Sequence, residues 1–581
     1  MVFFYPYQIN EDYLDVSLNE KEAKQKALHY ISSRGWDISG HTYSCRYDQG
    51  IGTRWLNGNY FKETIAQNDK EKIRQISRLI GNHRWNMRWY NPPNEEEIKI
   101  SYTKDGELTF FFHILPDSLA GDSLPENIAI DIAKMFMKDM TGTKWQEEDW
   151  DLKNKEIAQK PNRLDYYFQW ENNRYDFDGS TVRMSIRVHG NEVVRYNRWL
   201  DSPETLNKQF DNWGSIRGFF NDLGGFLSII IMVLSILFAL FYFKIPTNWK
   251  TASGFAIVIA VVKLTERLLE MPIDIFDFSS EDSLISSISM NGIMELLSTF
   301  FGGFILLIMM AACEKLYRQT FPNFISIKNL FNPQGYSSKL FFNNYSTGVV
   351  AAVCALPITA LFYYFINQSG FFIAYQYLDF NQFLTGTPLI SILFSGVFGT
   401  IDTMLPFAVL VMIIYKLMGS KWISILISAL LFSFNNSPGT DPVILSSIYL
   451  LILGLISGYL LFKYGILALL VFAFGRGILS NVVLFFFTGQ AYYVTTGIIL
   501  ILIILSPLIF CILHYLKFGY TTTPDSLLNS AEEATEIKSI EPVIPPHEPL
   551  PASQGKWAYI LLIIGAACLF IPDNNELNWN F

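Results

Sequence analysis

Polar and apolar positions divide the chain into two unlike parts that meet just past residue 215. In the first part, SLNEKEAKQKALHYISSRGWDI puts Ala23, Ala27, Leu28 and Ile31 at helical spacing. EIKISYTKDGELTFFFHIL then alternates on both sides of a Lys-Asp-Gly turn, the pattern of a β-hairpin. The order repeats. PENIAIDIAKMFMKDMTG carries a second helical stripe, and TVRMSIRVHGNEVVRYNRWL alternates about a Gly-Asn turn. A helix followed by antiparallel strands, twice, predicts a water-facing α+β domain over residues 1–215.

The second part is a train of apolar runs, and a helix needs about 20 such residues to cross a bilayer. Spans are predicted at about 224–243, 252–270, 294–316, 347–366, 386–416, 422–434, 442–461, 466–486 and 493–516. The expected organisation is three spans and a connector over 216–345, then a membrane core over 346–517. Residues 518–555 are rich in Pro and Glu and read as a disordered linker, followed by a terminal hydrophobic segment over 556–581. The fold class is a multi-pass α-helical membrane bundle with an N-terminal α+β domain.

Charge gives this arrangement a direction. Lys244, Lys250, Lys315, Arg318, Lys328, Lys339, Lys416, Lys421, Lys463 and Lys517 fall in alternate connections, whereas DIFDFSSEDS and NQSGFFIAYQYLDFNQ carry no Lys or Arg. The alternation predicts an extracytoplasmic N-terminal domain and requires 386–416 to cross once. Export needs a signal, so the expected start lies upstream, with VFFYPY as the tail of an N-terminal anchor. The formal charge of −9, with no dense basic patch, argues against nucleic acid as a partner. Five scattered cysteines form no disulfide framework, the histidines lack metal spacing, and no metal or cofactor is expected.

The candidate chemistry lies in IDTMLPFAVLVMIIYKLMGSKWISILISALLFSFNN and LLILGLISGYLLFKYGILALLVFAFGRGILSN. These stretches resemble the core of the CPBP family of intramembrane proteases, also called CAAX-protease, bacteriocin-processing or Abi proteins. The helix-plus-strands units of the first part resemble the small PepSY-type domains found outside the membrane in bacteria. Together the resemblances imply a bacterial cell-membrane protein. In the CPBP family, a Glu-Glu-x-x-x-Arg motif precedes a span ending Phe-x-x-x-His, and a final helix carries His-x-x-x-Asn. The resemblance places the glutamate pair on Asp402 and Thr403, the arginine on Phe407, and the second motif's histidine on Asn436. The last histidine falls on Phe474, or on Gly477 with Asn481 in the Asn role. Histidines occur at 29, 41, 83, 113, 189, 514 and 547, so the stretch from 190 to 513 has no imidazole to act as general base.

Other polar residues compete for a role. Glu314 and Arg318 in CEKLYRQTFPN have the spacing of the first motif's acid and arginine, making Glu314 an alternative acid; the plainer expectation is an i,i+4 pair at the membrane surface. Lys263, Glu266, Arg267 and Glu270 read as a self-neutralising helix end. Arg476 lies within a span and needs a partner; Asp402 is the expected one, with Asn435, Asn436 and Asn481 completing a polar pocket. The expectation is therefore a CPBP-type protein, proteolytically inactive or atypical, that binds a peptide, lipid or protein partner. The alternatives are an active endopeptidase using Asp402 or Glu314 with Asn436, and a transporter.

Overall fold

The computed structural model describes residues 18–48, 70–81, 84–92, 96–141, 146–177, 179–237, 241, 247–274, 276, 284–369, 372–373, 388–434, 440–441, 444–487, 491–519 and 523–530. The expected anchor tail, the terminal hydrophobic segment, and both Asn435 and Asn436 lie outside the described residues.

The first part forms one antiparallel sheet. Helix α1 (Glu20–Ser33) leads to β1 (Thr42–Asp48); helix α2 (Lys70–Ile80) precedes β2 (Arg84–Tyr90), β3 (Glu97–Thr103) and β4 (Leu108–Ile114). Helix α3 (Glu126–Thr141) leads to β5 (Trp150–Gln159), β6 (Leu164–Phe177), β7 (Ser180–His189) and β8 (Glu192–Asp201). The strand order is β1-β2-β3-β4-β8-β7-β6-β5. Each unit is thus a helix feeding a four-stranded meander, with an extra helix inside the first. The last strands, β4 and β8, pair to join the units. Gly106 and Gly190, in the two expected turns, take left-handed φ of 82° and 59°. Asn19 and Glu22 close a capping box on α1. Its buried Ala23, Ala27 and Ile31, with Ala129, Ala133 and Phe136 of α3, cover Trp85, Met87, Ile100, Phe111, Phe168 and Ile186. The opposite sheet face is polar.

Helices α4 (Glu204–Leu237) and α5 (Trp249–Asp274) follow, then α6 (Leu284–Thr320), α7 (Lys339–Gln368), α8 (Pro388–Met418), α9 (Lys421–Phe434), α10 (Ile444–Phe487) and α11 (Ala491–Phe518). Five described stretches are long and apolar enough to cross a membrane: Gly292–Thr320, Lys339–Ile366, Pro388–Met418, Ile444–Val483 and Ala491–Phe518. The structure is therefore that of a multi-pass helical membrane protein. Pro388–Met418 is one helix, as the charge pattern required. The expected span at 422–434 is a 14-residue helix, about 21 Å at 1.5 Å per residue and shorter than the apolar core of a bilayer. The second expected span, within α5, carries Lys263, Glu266 and Arg267 and falls outside the apolar set.

Two expected spans, 442–461 and 466–486, fall in α10, whose backbone breaks at Gly465 (φ 77°, ψ −177°). The contacts with α7 show that the chain reverses there. A Cβ at Gly348 would lie 2.8 Å from the Ala468 carbonyl oxygen, and one at Gly475 would lie 3.0 Å from Ala352, so the second half runs parallel to α7. Tyr449, near the start of the first half, meets Thr359 Oγ1 at 2.7 Å and stacks on Phe362 at the far end of α7. Helix α10 is thus a hairpin with its tip at Gly465. Only glycine suits that tip: its φ is positive, and a Cβ would stand 2.7 Å from the Tyr317 hydroxyl.

The stretch expected to be a linker starts with ordered chain. Ser326 N–H donates to the Leu527 carbonyl at 3.0 Å, and Asn529 Nδ2 donates to the Phe321 carbonyl at 2.7 Å. Residues 523–530 thereby roof the C-terminal end of α6.

Candidate functional site

Asp402 lies midway along α8, and its helix phase decides what it can reach. Gly396 packs against Phe474 and Ile478 of α10. Six residues further on, about 240° around a helix of 3.6 residues per turn, Asp402 points away from α10. The ion pair expected between Asp402 and Arg476 does not form. The cation on the side of Asp402 is Lys263 of α5, which acts on it across a distance and forms no direct ion pair with it. Lys263 Nζ lies 5.0 Å from the centre of the Phe398 ring, one turn before Asp402.

Small residues let that lysine in. Helices α5 and α6 pack antiparallel: a Cβ at Gly303 would sit 3.6 Å from Ala260, and one at Gly302 would sit 3.7 Å from Lys263 Nζ. One turn on, Arg267 Nε lies 3.6 Å from Glu295 Oε1. The charges expected at the end of α5 therefore also reach other helices: Arg267 meets Glu295 of α6, and Lys263 extends towards α8. This is how charge is tolerated within an apolar region. Asp402 and Thr403 lie at the protein surface, and the Thr403 hydroxyl donates to the Gly399 carbonyl at 2.7 Å, within its own helix. Pro406 has no N–H to offer the Asp402 carbonyl oxygen, which leaves an acceptor beside the carboxylate.

Glu314 and Arg318 do pair, with Arg318 Nε 3.2 Å from Glu314 Oε1 and Nη2 3.5 Å from Oε2. The expected i,i+4 pair is thus present, and it is buried within the protein, with side chains 4% and 1% exposed. The cause is the roof over the end of α6, formed by 321–332 and 523–530, with Lys416 Nζ donating to the Gln319 carbonyl. Both Glu314 oxygens face one guanidinium. A clamp of this kind orients a helix end and leaves the carboxylate closed to a substrate.

Arg476 and Asn481 share the second half of α10. Asn481 Nδ2 donates to the Gly477 carbonyl at 3.1 Å, one turn back, and Ser480 Oγ donates to the Arg476 carbonyl at 2.8 Å. Among the described residues, the sequence candidates form three separate groups: Asp402 with Lys263, Glu314 with Arg318, and Arg476 near Asn481. No cluster of His, Cys, Asp and Glu among them has the form of a metal site.

One linkage was not legible in the sequence. Arg88 of β2, fully buried, donates Nε to Glu97 Oε2 at 2.9 Å and Nη1 to the Phe276 carbonyl at 2.7 Å. Arg46 of β1 lies 4.7 Å from the Phe276 ring centre. Phe276 stands two residues beyond α5, so the polar sheet face grips the end of the helix that carries Lys263. The contact spans 188 residues of sequence, and a lone arginine in a strand gives no signal of it. No protein-family model matches the chain, and no curated protein or solved structure matches it either.

Proposed function

We propose that this protein is a CPBP-type membrane protein that works by binding, without peptidase chemistry. The sheet domain, outside the cytoplasm, receives a peptide, lipid or protein partner, and the membrane bundle responds. The observation that carries this reading is the double role of α5. Its end is held by Arg88 and Arg46 of the sheet, and its middle carries the ammonium opposed to Asp402. A shift of the sheet is thereby passed along α5 to the level of Asp402 on α8. A hydrolase of the expected type needs an acid free to activate water beside a second helper group. Asp402 instead faces a cation, and Glu314 is closed by Arg318.

The test is turnover of prenylated and leader peptides by the purified full chain in detergent, compared with Asp402→Ala and Glu314→Ala. No cleavage above the buffer rate is expected. Cleavage that either substitution abolishes would overturn the reading in favour of an active endopeptidase. The opposed charges on α5, α6 and α8 favour a second reading, an ion-coupled transporter. Substrate-driven proton uptake into vesicles, lost in Lys263→Met, would establish it instead.

A further inference from the structure

The polar face of the sheet carries one transverse row of residues in register: Arg88, Lys99, Phe112, Arg195, Arg187 and Tyr167, on β2, β3, β4, β8, β7 and β6. Its first two cations are neutralised by one carboxylate, since Arg88 Nη2 and Lys99 Nζ each lie 2.5 Å from Glu97. Its second two cations have no such partner. Arg187 and Arg195 stand directly opposite each other on paired strands, where like charges repel. Neither forms an ion pair with a carboxylate among the described residues. The Nε of each is buried with no acceptor. Each guanidinium sits instead against an aromatic ring, Arg187 at 5.5 Å from Tyr167 and Arg195 at 4.9 Å from Phe112. Burial, together with the facing Arg187 charge, lowers the proton affinity of Arg195. A sheet gains nothing from two such charges held side by side, half-buried and unneutralised.

We propose that Arg187 and Arg195 form a binding site for a phosphate-type oxyanion, carried by a soluble phosphate ester or by a lipid headgroup. Two guanidinium forks on adjacent strands offer donors to several oxygens of one tetrahedral group. Tyr167 and Phe112 border the site and hold the forks in place. The anion supplies the charge that Glu97 supplies to the other half of the row. The inference rests on the reading of the sheet as the binding part of the molecule, yet it is independent of Lys263 and Asp402 and of any peptidase assay.

The test uses the full chain in phosphatidylcholine nanodiscs. Inorganic pyrophosphate is the soluble probe; replacing part of the lipid by phosphatidylglycerol is the lipid-borne one. At least one probe is expected to raise the unfolding midpoint, and which one does so identifies the source. Arg187→Gln with Arg195→Gln should weaken that response about tenfold or more, as expected for lost charge-assisted hydrogen bonds. Arg174→Gln, at an exposed arginine of β6, should leave it unchanged. Without probe, Arg195→Gln should unfold no earlier than the parent, because it relieves a repulsion. A parent that responds to neither probe, or a double variant that responds like the parent, would overturn the proposal. So would a lower probe-free midpoint for Arg195→Gln, which would make the pair a structural element of the sheet.

Discussion

Replacing Arg88 by Met tests the coupling between sheet and bundle. The substitution keeps much of the side-chain volume and removes the charge. It leaves Glu97, 3% exposed, with Lys99 as its remaining cation, and it removes the donor to the Phe276 carbonyl. Breaking a buried pair from one side costs about 3–5 kcal/mol. Lys99, itself 33% exposed and already in place, offsets part of that, and an expected loss of about 3 kcal/mol remains. At about 1.4 kcal/mol per decade, protected amides of β2 and β3 should exchange roughly 100-fold faster in Arg88→Met. The last turn of α5 should lose protection in the same experiment. Adding Glu97→Leu removes the stranded carboxylate and should restore most of the sheet's protection without restoring that of α5. Hydrogen exchange with mass spectrometry on the full chain reads both regions. Arg88→Met with unchanged exchange at α5 would refute the coupling, and a double variant no better than the single would refute the buried-charge argument.

Two further perturbations separate other parts of the reasoning. Burial above all, helped by the charges of Arg163, Arg187 and Lys160 and opposed by Asp165, pushes His189 from 6.5 down to about 4. Its neutral form is therefore the one the fold holds: the contribution is complete above pH 6.5 and is lost as pH falls from 6.5 towards 4 while the unfolded chain takes up the proton. The loss should reach about 2–3 kcal/mol, allowing for partial solvent contact, and should vanish in His189→Asn when unfolding midpoints are compared between pH 7.5 and 4.5. Gly465→Ala places a Cβ where φ is positive and the Tyr317 hydroxyl stands 2.7 Å away. It should cost about 2–4 kcal/mol, read as a lower unfolding midpoint in detergent, and adding Tyr317→Phe should recover only part. A parental midpoint for Gly465→Ala would refute the hairpin.

Local pattern was legible wherever a periodicity extended over a whole element. The two helical stripes and the alternation around Gly106 and Gly190 predicted the repeated helix-plus-strands order, because a half-buried strand must alternate and a covering helix must carry a stripe. Strand register was not legible. An irregularity between Arg187 and Val188 in the β7–β8 hairpin sets Arg187 against Arg195 instead of its neighbour, and the β4–β8 pairing across the two units brings Phe112 into the same row. The stretch 523–530 was hidden for another reason. It lies at the head of a Pro- and Glu-rich segment whose average composition is that of a tether, and its order rests on a few bonds such as those of Asn529. The same roof buries Glu314 and Arg318, so the burial of that pair was hidden with it.

The misplacement of Asp402 has a different origin, in helix phase. A charge within an apolar span was rightly singled out as needing a partner, since leaving it unpaired there is expensive. Arg476 is the expected partner because both residues fall in the core of the bundle that the resemblance implies. Proximity in a bundle depends on which face each residue occupies, and Gly396 fixes that for α8 by accepting Phe474 and Ile478 at its bare backbone. With α10 on that face, the face of Asp402 is left to α5 and α6, where Gly302 and Gly303 open the groove that Lys263 enters. Glycines at 302, 303 and 396 thus decide which charges meet, although none of them carries a charge. A side chain larger than alanine at Gly302 would push on the Lys263 ammonium and move it away from α8, whereas bulk at Gly396 would part α8 from α10 and leave Lys263 on the side of Asp402.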